Sequence, residues 1–405
     1  MTATANADQP GPLAAGAEAG AGRLWIERLS LTAFRNYASA VVMPGNASVV
    51  LVGPNGSGKT NLLEAVSLLV PGQGLRRASY ADVARLGGDG AWAVAARVHS
   101  RHGLVDIGTG QQAPQQGARA SAGRVVRVDG ETQSGSGALA DYLEAVWLTP
   151  AMDGLFTGPG AERRRFLDRL VLCFDPGFRT LASRFERATQ GRNRLLADGV
   201  REPARLRAVE LVMAEAGAAV AAARTATIRR LVAVIESRRI RAPDSPFPWS
   251  VVRIEGTLEN ELMAGTAAVD VEDVYARRLA EMRERDRAAG RTLEGPHRSD
   301  LIVEHGPKQM PARLSSTGEQ KALLIGLVLA EAELIAERHD GAGPLLLLDE
   351  ITAHLDEYRR AALFDEILRL RGQAWMTGTD REAFSALAGK AAFFEVSGAR
   401  LAHLF

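Results

Sequence analysis

The tightest constraint in this sequence is one short run, Gly53-Pro-Asn-Gly-Ser-Gly58-Lys59-Thr60. Two glycines with four residues between them, followed by lysine and a hydroxyl residue, form the pattern of a phosphate-cradling loop. Backbone N–H groups can surround a highly charged triphosphate only where side chains stay clear, and Gly53, Gly56 and Gly58 provide that clearance. The candidate nucleotide contacts are Gly53, Pro54, Asn55, Gly56, Ser57, Gly58, Lys59, Thr60 and Asn61. Lys59 is expected to reach the β- and γ-phosphates, and the Thr60 hydroxyl to coordinate Mg²⁺. The context fits: residues 48–52 read as a short apolar strand. A helix starts at about Lys59 and runs through Leu62, Leu63, Val66 and Leu69 until Pro71-Gly72 stops it. Its N-terminal dipole points at the loop.

Lys59 stands out for a compositional reason. Only four lysines occur, Lys59, Lys308, Lys321 and Lys390, and arginine has replaced lysine almost everywhere else. A compact ammonium was kept where arginine was the default. Formal net charge is only +1, so any nucleic-acid surface must be a local arginine patch, not a global field. Cys173 is the single cysteine, which excludes an intrachain disulfide and suits a reducing compartment. The N-terminus has no basic segment followed by an apolar one, so a secretory signal is not expected. The longest apolar stretch, residues 322–330, ends at Glu331, well short of the ~18 residues of a membrane span. A soluble, cytoplasmic protein is expected.

Periodicity divides the chain. Residues 1–22, rich in Ala and Gly, are expected to be a disordered tail. Residues 24–37 and 38–43 alternate as two strands, with further strands at 92–98, 104–108, 124–128 and 142–149, and a polar loop at 110–123. Helical periodicity fills most of 163–240 until Pro243, Pro246 and Pro248 break it. A strand at 249–254 and a charged helix at 271–287 follow. The C-terminal part alternates: strand 299–303, buried helix 315–338, strand 345–348, helix 357–371, and strands 374–377 and 391–396, which argues for a partly parallel sheet. The expected division is a core unit over 23–160 and 291–405 with a mainly helical lobe inserted at 161–290.

Leu345-Leu-Leu-Leu-Asp349-Glu350 is a buried strand ending in two carboxylates. Acids at such a tip are costly unless they hold a cation or find partners. Asp349 is the candidate metal ligand; Glu350 is the candidate base that orients and deprotonates an attacking water. Ser315-Ser316-Thr-Gly318-Glu319-Gln320 opens the long helix before that strand. His354-Leu-Asp356 follows it, and Asp356 is also a plain N-cap candidate for the next helix.

Phosphate loop, Ser316–Gly318 run and acidic strand stand in the order of ABC-type ATPases, and the chain resembles that class. Further segments narrow the resemblance to the RecF family. These are Leu31-Thr-Ala-Phe-Arg35-Asn36-Tyr37, Asn61-Leu-Leu-Glu-Ala65, Gly74-Leu-Arg-Arg77, Arg163-Arg-Arg-Phe-Leu-Asp168 and Gly295-Pro-His-Arg-Ser-Asp300. The resemblance spans about residues 24–400. It implies an α/β ABC-type ATPase head, a mixed sheet with a phosphate loop, carrying a helical lobe. It also implies an ATP-dependent homodimer in which Ser316 and Gly318 of one copy face the γ-phosphate held by the other, with Arg35 and Asn36 near the nucleotide. Lys59 and Glu350 are implied to serve hydrolysis, which is expected to be weak and stimulated by DNA. The implied role is recombinational repair and replication at single-strand gaps, with RecO and RecR, promoting RecA loading and SOS induction.

The run departs from common ABC patterns. Ser315 stands where many signatures have Leu, and Glu319 where they have Gln. Met376-Thr-Gly-Thr-Asp380 follows the strand where transporter ATPases place a switch histidine. Candidate DNA contacts are Arg76, Arg77, Arg163, Arg164, Arg165, Arg184, Arg187, Arg192, Arg194 and Arg298, as sequence-independent phosphate ligands. Two other ABC-type readings are weighed. A transporter cassette predicts a shorter chain with a switch histidine. An SMC-like protein needs long heptad arms, for which residues 163–287 leave no room.

Overall fold

The computed structural model describes residues 23–113 and 123–404. The tail expected at 1–22 and most of the loop expected at 110–123 lie outside the described residues. Strands and helices are numbered in chain order.

The centre is a six-stranded sheet in the order β15-β14-β3-β13-β12-β8. It comprises β3 (Ser48–Val52), β8 (Ala145–Leu148), β12 (Leu345–Leu348), β13 (Ala374–Gly378), β14 (Ala391–Ser397) and β15 (Arg400–His403). Only β15 runs antiparallel to its neighbour; the others are parallel. Alternation along these strands feeds two cores. Val50, Val52, Leu346, Leu348 and Met376 face one side; Val49, Leu51, Leu345, Leu347 and Trp375 face the other. A strand buried on both faces reads as a continuous apolar run, as β3 and β12 do.

The second core is closed by an antiparallel sheet, β2-β1-β4-β5-β6-β7. Its strands are β1 (Trp25–Phe34), β2 (Tyr37–Val42), β4 (Trp92–Ser100), β5 (Gly103–Gln111), β6 (Val125–Val128) and β7 (Glu131–Thr132). Helix α1 (Lys59–Ser67) lies between the two sheets, burying Leu62, Leu63 and Val66. It ends four residues before Pro71, because the Ser67 hydroxyl donates to the Glu64 carbonyl and accepts the Leu75 N–H, turning the chain there. A single turn, α2 (Tyr80–Val83), follows.

The first core runs from the sheet into a helical segment without a break. Packed into it are α3 (Gly160–Leu172), α4 (Phe178–Ala197), α5 (Pro203–Arg241), α6 (Thr257–Met263), α7 (Ala268–Glu281) and the sheet's own α9 (Thr317–Arg338) and α10 (Glu357–Arg369), while α8 (Arg283–Ala289) buries only the charged Asp286. Helix α5, 39 residues long, packs along α4, α7 and α9; it is a core helix and not a projecting arm. In a small sheet β10 (Asp300–His305) pairs with β9 (Ser250–Glu255) on one side and β11 (Met310–Pro311) on the other.

Further expectations needed correction: the helical stretch expected over 163–240 is three helices, α3, α4 and α5. The helix anticipated over 271–287 is broken at Met282, and the break turns Arg283 and Asp286 onto buried charges, with Arg283 on Glu210 and Asp286 on Arg192. Helix α6 and strand β15 were not anticipated; both are too short for periodicity to register. Among the described residues no helix is long and apolar enough to cross a membrane.

Candidate functional site

The loop between β3 and α1 is held open by its glycines at two points. A side chain at Gly53 (φ 151°) would strike the Val396 carbonyl. At Gly58 (φ 117°) a Cβ would lie 2.6 Å from the Tyr37 hydroxyl. Both φ values fall where L side chains are disfavoured. No side chain caps α1, so its first N–H groups are left for a ligand. The Ser57 Oγ, buried in the loop, also lacks a partner among the described residues.

Lys59 is 4% exposed. Its ammonium donates to the Gly53 and Pro54 carbonyls at 2.8 and 3.1 Å and lies 3.5 Å from Glu350 Oε1. Thr60 Oγ1 is within 2.9 and 3.1 Å of the two Asp349 oxygens. Thr377, at the end of β13, donates to Asp349 Oδ1 at 2.7 Å and accepts the Glu350 N–H at 2.8 Å. Glu350 itself has φ 49°, a strained conformation for a side-chain-bearing residue. Residues almost 300 positions apart therefore meet in one cluster. Thr60 and Asp349 together offer hard oxygen donors, the ligand type Mg²⁺ prefers; Mg²⁺ keeps several waters and needs few protein ligands.

The β1–β2 turn braces the loop. Asn36 donates to the Ser57 carbonyl at 3.2 Å and accepts from the Asn61 side chain at 2.7 Å. The Tyr37 hydroxyl donates to the Gly58 carbonyl at 3.1 Å, and burial pushes that phenol well above its ordinary range. Arg35 makes a two-pronged pair with Glu64 at 2.6 and 2.8 Å, so its guanidinium is engaged by α1. Arg76 joins Glu64 from the other side. Tyr37 and Thr377 were not singled out from sequence. Each stood inside a quoted motif, but nothing local marks a tyrosine or a strand-end threonine as a brace.

Ser316 caps α9 in a capping box: its Oγ accepts the Glu319 N–H, and Glu319 Oε2 accepts the Ser316 N–H. Lys308 and these bonds hold the Glu319 carboxyl down at about 2. Ser316 and Thr317 are exposed. Among the described residues no hydrogen bond joins Ser316 or Gly318 to the phosphate loop; Gly318 lies near the His354 carbonyl. Asp356 does cap α10, accepting the Arg359 N–H at 2.8 Å.

The two distinctive motifs lock together. Arg163 makes a two-pronged pair with Asp300 at 2.7 and 2.8 Å. Arg164 donates to the Ser299 carbonyl at 2.8 Å. Asp168 holds Arg224, which also donates to the Pro296 carbonyl. Among the candidate DNA ligands, Arg192 must be withdrawn. It is 0% exposed and is spent on Glu210, Asp286, Thr292 and the Leu279 carbonyl. Arg184 pairs with Glu215 and Arg165 with Glu162. Arg77, Arg187, Arg194 and Arg298 are exposed, without an ion pair among the described residues. Burial and the neighbouring Arg224 and Arg298 lower the Arg164 guanidinium. Partial burial of its guanidinium, with Arg165 and Arg169 beside it, likewise lowers Arg77 against the opposing pull of Glu162 and Asp168.

Residues 25–390 match the model of the RecF/RecN/SMC N terminal domain. A protein of Mesorhizobium japonicum described as DNA replication and repair protein RecF is 55% identical over 372 residues, 92% of this chain and 96% of that protein. One of the same description from Brucella suis is 52% identical, covering 94% and 96%. The fold also matches a solved structure of the recombination mediator protein RecF-ATPrS in the RecFOR pathway. That match has a TM-score of 0.80 at 19% identity, over 95% of this chain and 100% of that one. An SMC head of Pyrococcus furiosus matches at a TM-score of 0.52 and 17% identity, over 94% of this chain and 96% of that one.

Proposed function

Because the chain belongs to the RecF family of ABC-type ATPases, within the RecF/RecN/SMC N-terminal domain proteins, we propose that it binds ATP at the β3–α1 loop and uses it to form a homodimer on DNA. The reading carries a role in DNA replication and repair, as the names of its relatives indicate. The finer reading is action at single-strand gaps with RecO and RecR, ahead of RecA loading and SOS induction, in the cytoplasm. Residues 23–160 and 291–405 serve as the ATPase head and residues 161–290 as its lobe.

The supporting observation is an incomplete site. Lys59, Thr60, Asp349 and Glu350 converge, while the exposed Ser316 helix end lies outside that cluster. A helix N-terminus seeks an anion, and a second copy can bring it to the γ-phosphate. Lys59 would hold the β- and γ-phosphates. Thr60 and Asp349 would hold Mg²⁺, which supplies charge neutralisation to the phosphates when bound. Glu350 would orient water and take its proton. Replacing Ser316 with Arg fills the helix end with a long side chain, so it should spare ATP binding and block dimerisation. Sedimentation of the pure chain with and without Mg·ATP and DNA tests this. A wild type that stays monomeric under saturating ligand, or a Ser316→Arg variant that dimerises normally, refutes it.

For DNA, the reading favours exposed guanidiniums that form no ion pair of their own among the described residues and are crowded by other arginines. Arg298 is exposed beside Arg164, and Arg77 beside Arg165. Like charges kept together raise one another's energy, and a phosphodiester backbone relieves it. Affinity should fall steeply with salt. Arg298→Ala should lower the slope of log affinity against log salt by about one. An unchanged slope removes Arg298 from the surface.

A further inference from the structure

Resting on the reading of this centre as a hydrolytic ATP site, we propose that Thr377 is a positioning residue that sets both carboxylates of the acidic turn.

Thr377 is 0% exposed and follows Met376, whose partner in the adjacent parallel strand is Leu348, directly before the acidic pair. Its hydroxyl has one proton to give and lone pairs to receive. The proton goes to Asp349 Oδ1 at 2.7 Å, and the Glu350 N–H is received at 2.8 Å. A strand threonine that needed only to satisfy its own hydroxyl could do so at any neighbouring carbonyl. Among the described residues the hydrogen bonds of this hydroxyl go to the two consecutive acids alone.

The two contacts do different things. The Asp349 carboxylate is fixed between Thr60 on one side and Thr377 on the other. Its oxygens are thereby aimed at the Thr60 hydroxyl, where the metal ligands would have to converge. The bond to the Glu350 N–H fixes the peptide plane that enters Glu350. Glu350 sits at φ 49°, a region that a side-chain-bearing residue leaves unless its surroundings hold it. With that plane held, the side chain leaves the turn toward the loop, and Oε1 comes to 3.5 Å from the Lys59 ammonium.

In hydrolysis the water oxygen bonds to the γ-phosphorus, the bond from that phosphorus to the β–γ bridging oxygen breaks, and the water's proton passes to Glu350. ADP and inorganic phosphate are released. Thr377 touches neither reactant. It acts by keeping the proton acceptor and the metal ligand in register, where a displacement of about 1 Å costs on the order of a hundredfold in rate.

The test compares Thr377→Val and Thr377→Ser in the full chain, measuring ATP affinity, ATP-driven dimerisation and single-turnover hydrolysis with DNA present. Valine keeps the shape and removes the hydroxyl. It should slow hydrolysis at least about tenfold, within the range a misplaced group costs, while ATP affinity stays within about twofold, because the loop contacts are untouched. Serine keeps the hydroxyl and removes the methyl, and should hydrolyse ATP near the wild-type rate. A purely packing role predicts the reverse order, so a serine variant as slow as valine overturns the assignment even if valine folds poorly. A valine variant that hydrolyses at the wild-type rate overturns it as well, leaving the site reading intact. A wild type that binds no ATP and turns none over refutes the site reading, and the assignment with it.

Discussion

Lys59→Met should lose ATP affinity by at least about a hundredfold, the order of removing charge-assisted hydrogen bonds from a desolvated site. The ammonium is 4% exposed and spans the loop mouth, bonded to the Gly53 and Pro54 carbonyls. It is the cation that the loop closes over, and Glu350 beside it is too distant for a tight pair. A phosphate entering the loop takes over an ammonium that is already dehydrated and aimed. Methionine has similar length but no charge and no donor. Lys59→Arg should fail too, because a planar fork does not fit where a point charge is enclosed by backbone. That expectation is informative in a chain whose default cation is arginine. Nucleotide titration, with thermal unfolding as a folding control, measures the effect. Methionine or arginine variants that bind ATP like wild type would leave Lys59 as a structural tie across the loop and nothing more.

The parts that sequence made legible share a physical property: their information is local. Strands β3 and β12 are apolar on both faces, and the expected bounds of 48–52 and 345–348 match the structure. The glycines of the loop are visible because only glycine tolerates the backbone there. The acidic pair is visible because two carboxylates after a buried strand need a reason. What remained hidden depends on chain segments meeting. Thr377 is one threonine among many until β13 docks beside β12. Tyr37 reads as a strand apolar until its hydroxyl reaches Gly58. Arg35, quoted within a motif implied to lie near nucleotide, proves to be clamped on Glu64. The arginines were the hardest, since sequence cannot separate a solvated guanidinium from a buried one.

Arg192 makes that separation measurable. Arg192→Met should destabilise the helical segment by about 3–5 kcal/mol, the usual cost of removing one partner from a buried charged network. Four contacts are lost together: Glu210 at 3.2 Å, Asp286 at 2.6 Å, Thr292 at 2.9 Å and the Leu279 carbonyl at 2.6 Å. Glu210 keeps Arg283, but Asp286, 1% exposed, retains only the Leu293 N–H among its described partners. An uncompensated carboxylate is left where α4, α7 and α8 join. Denaturant unfolding and amide exchange along these helices read the loss. Arg184→Ala, which breaks an exposed pair with Glu215, should cost no more than about 1 kcal/mol by the same assays. Adding Asp286→Leu to Arg192→Met should recover part of the loss, because the stranded charge is removed. Recovery by the second substitution is the outcome that a phosphate-contacting role for Arg192 cannot produce. A variant as stable as wild type, defective only in DNA affinity, would return Arg192 to the surface and undo its placement in the core.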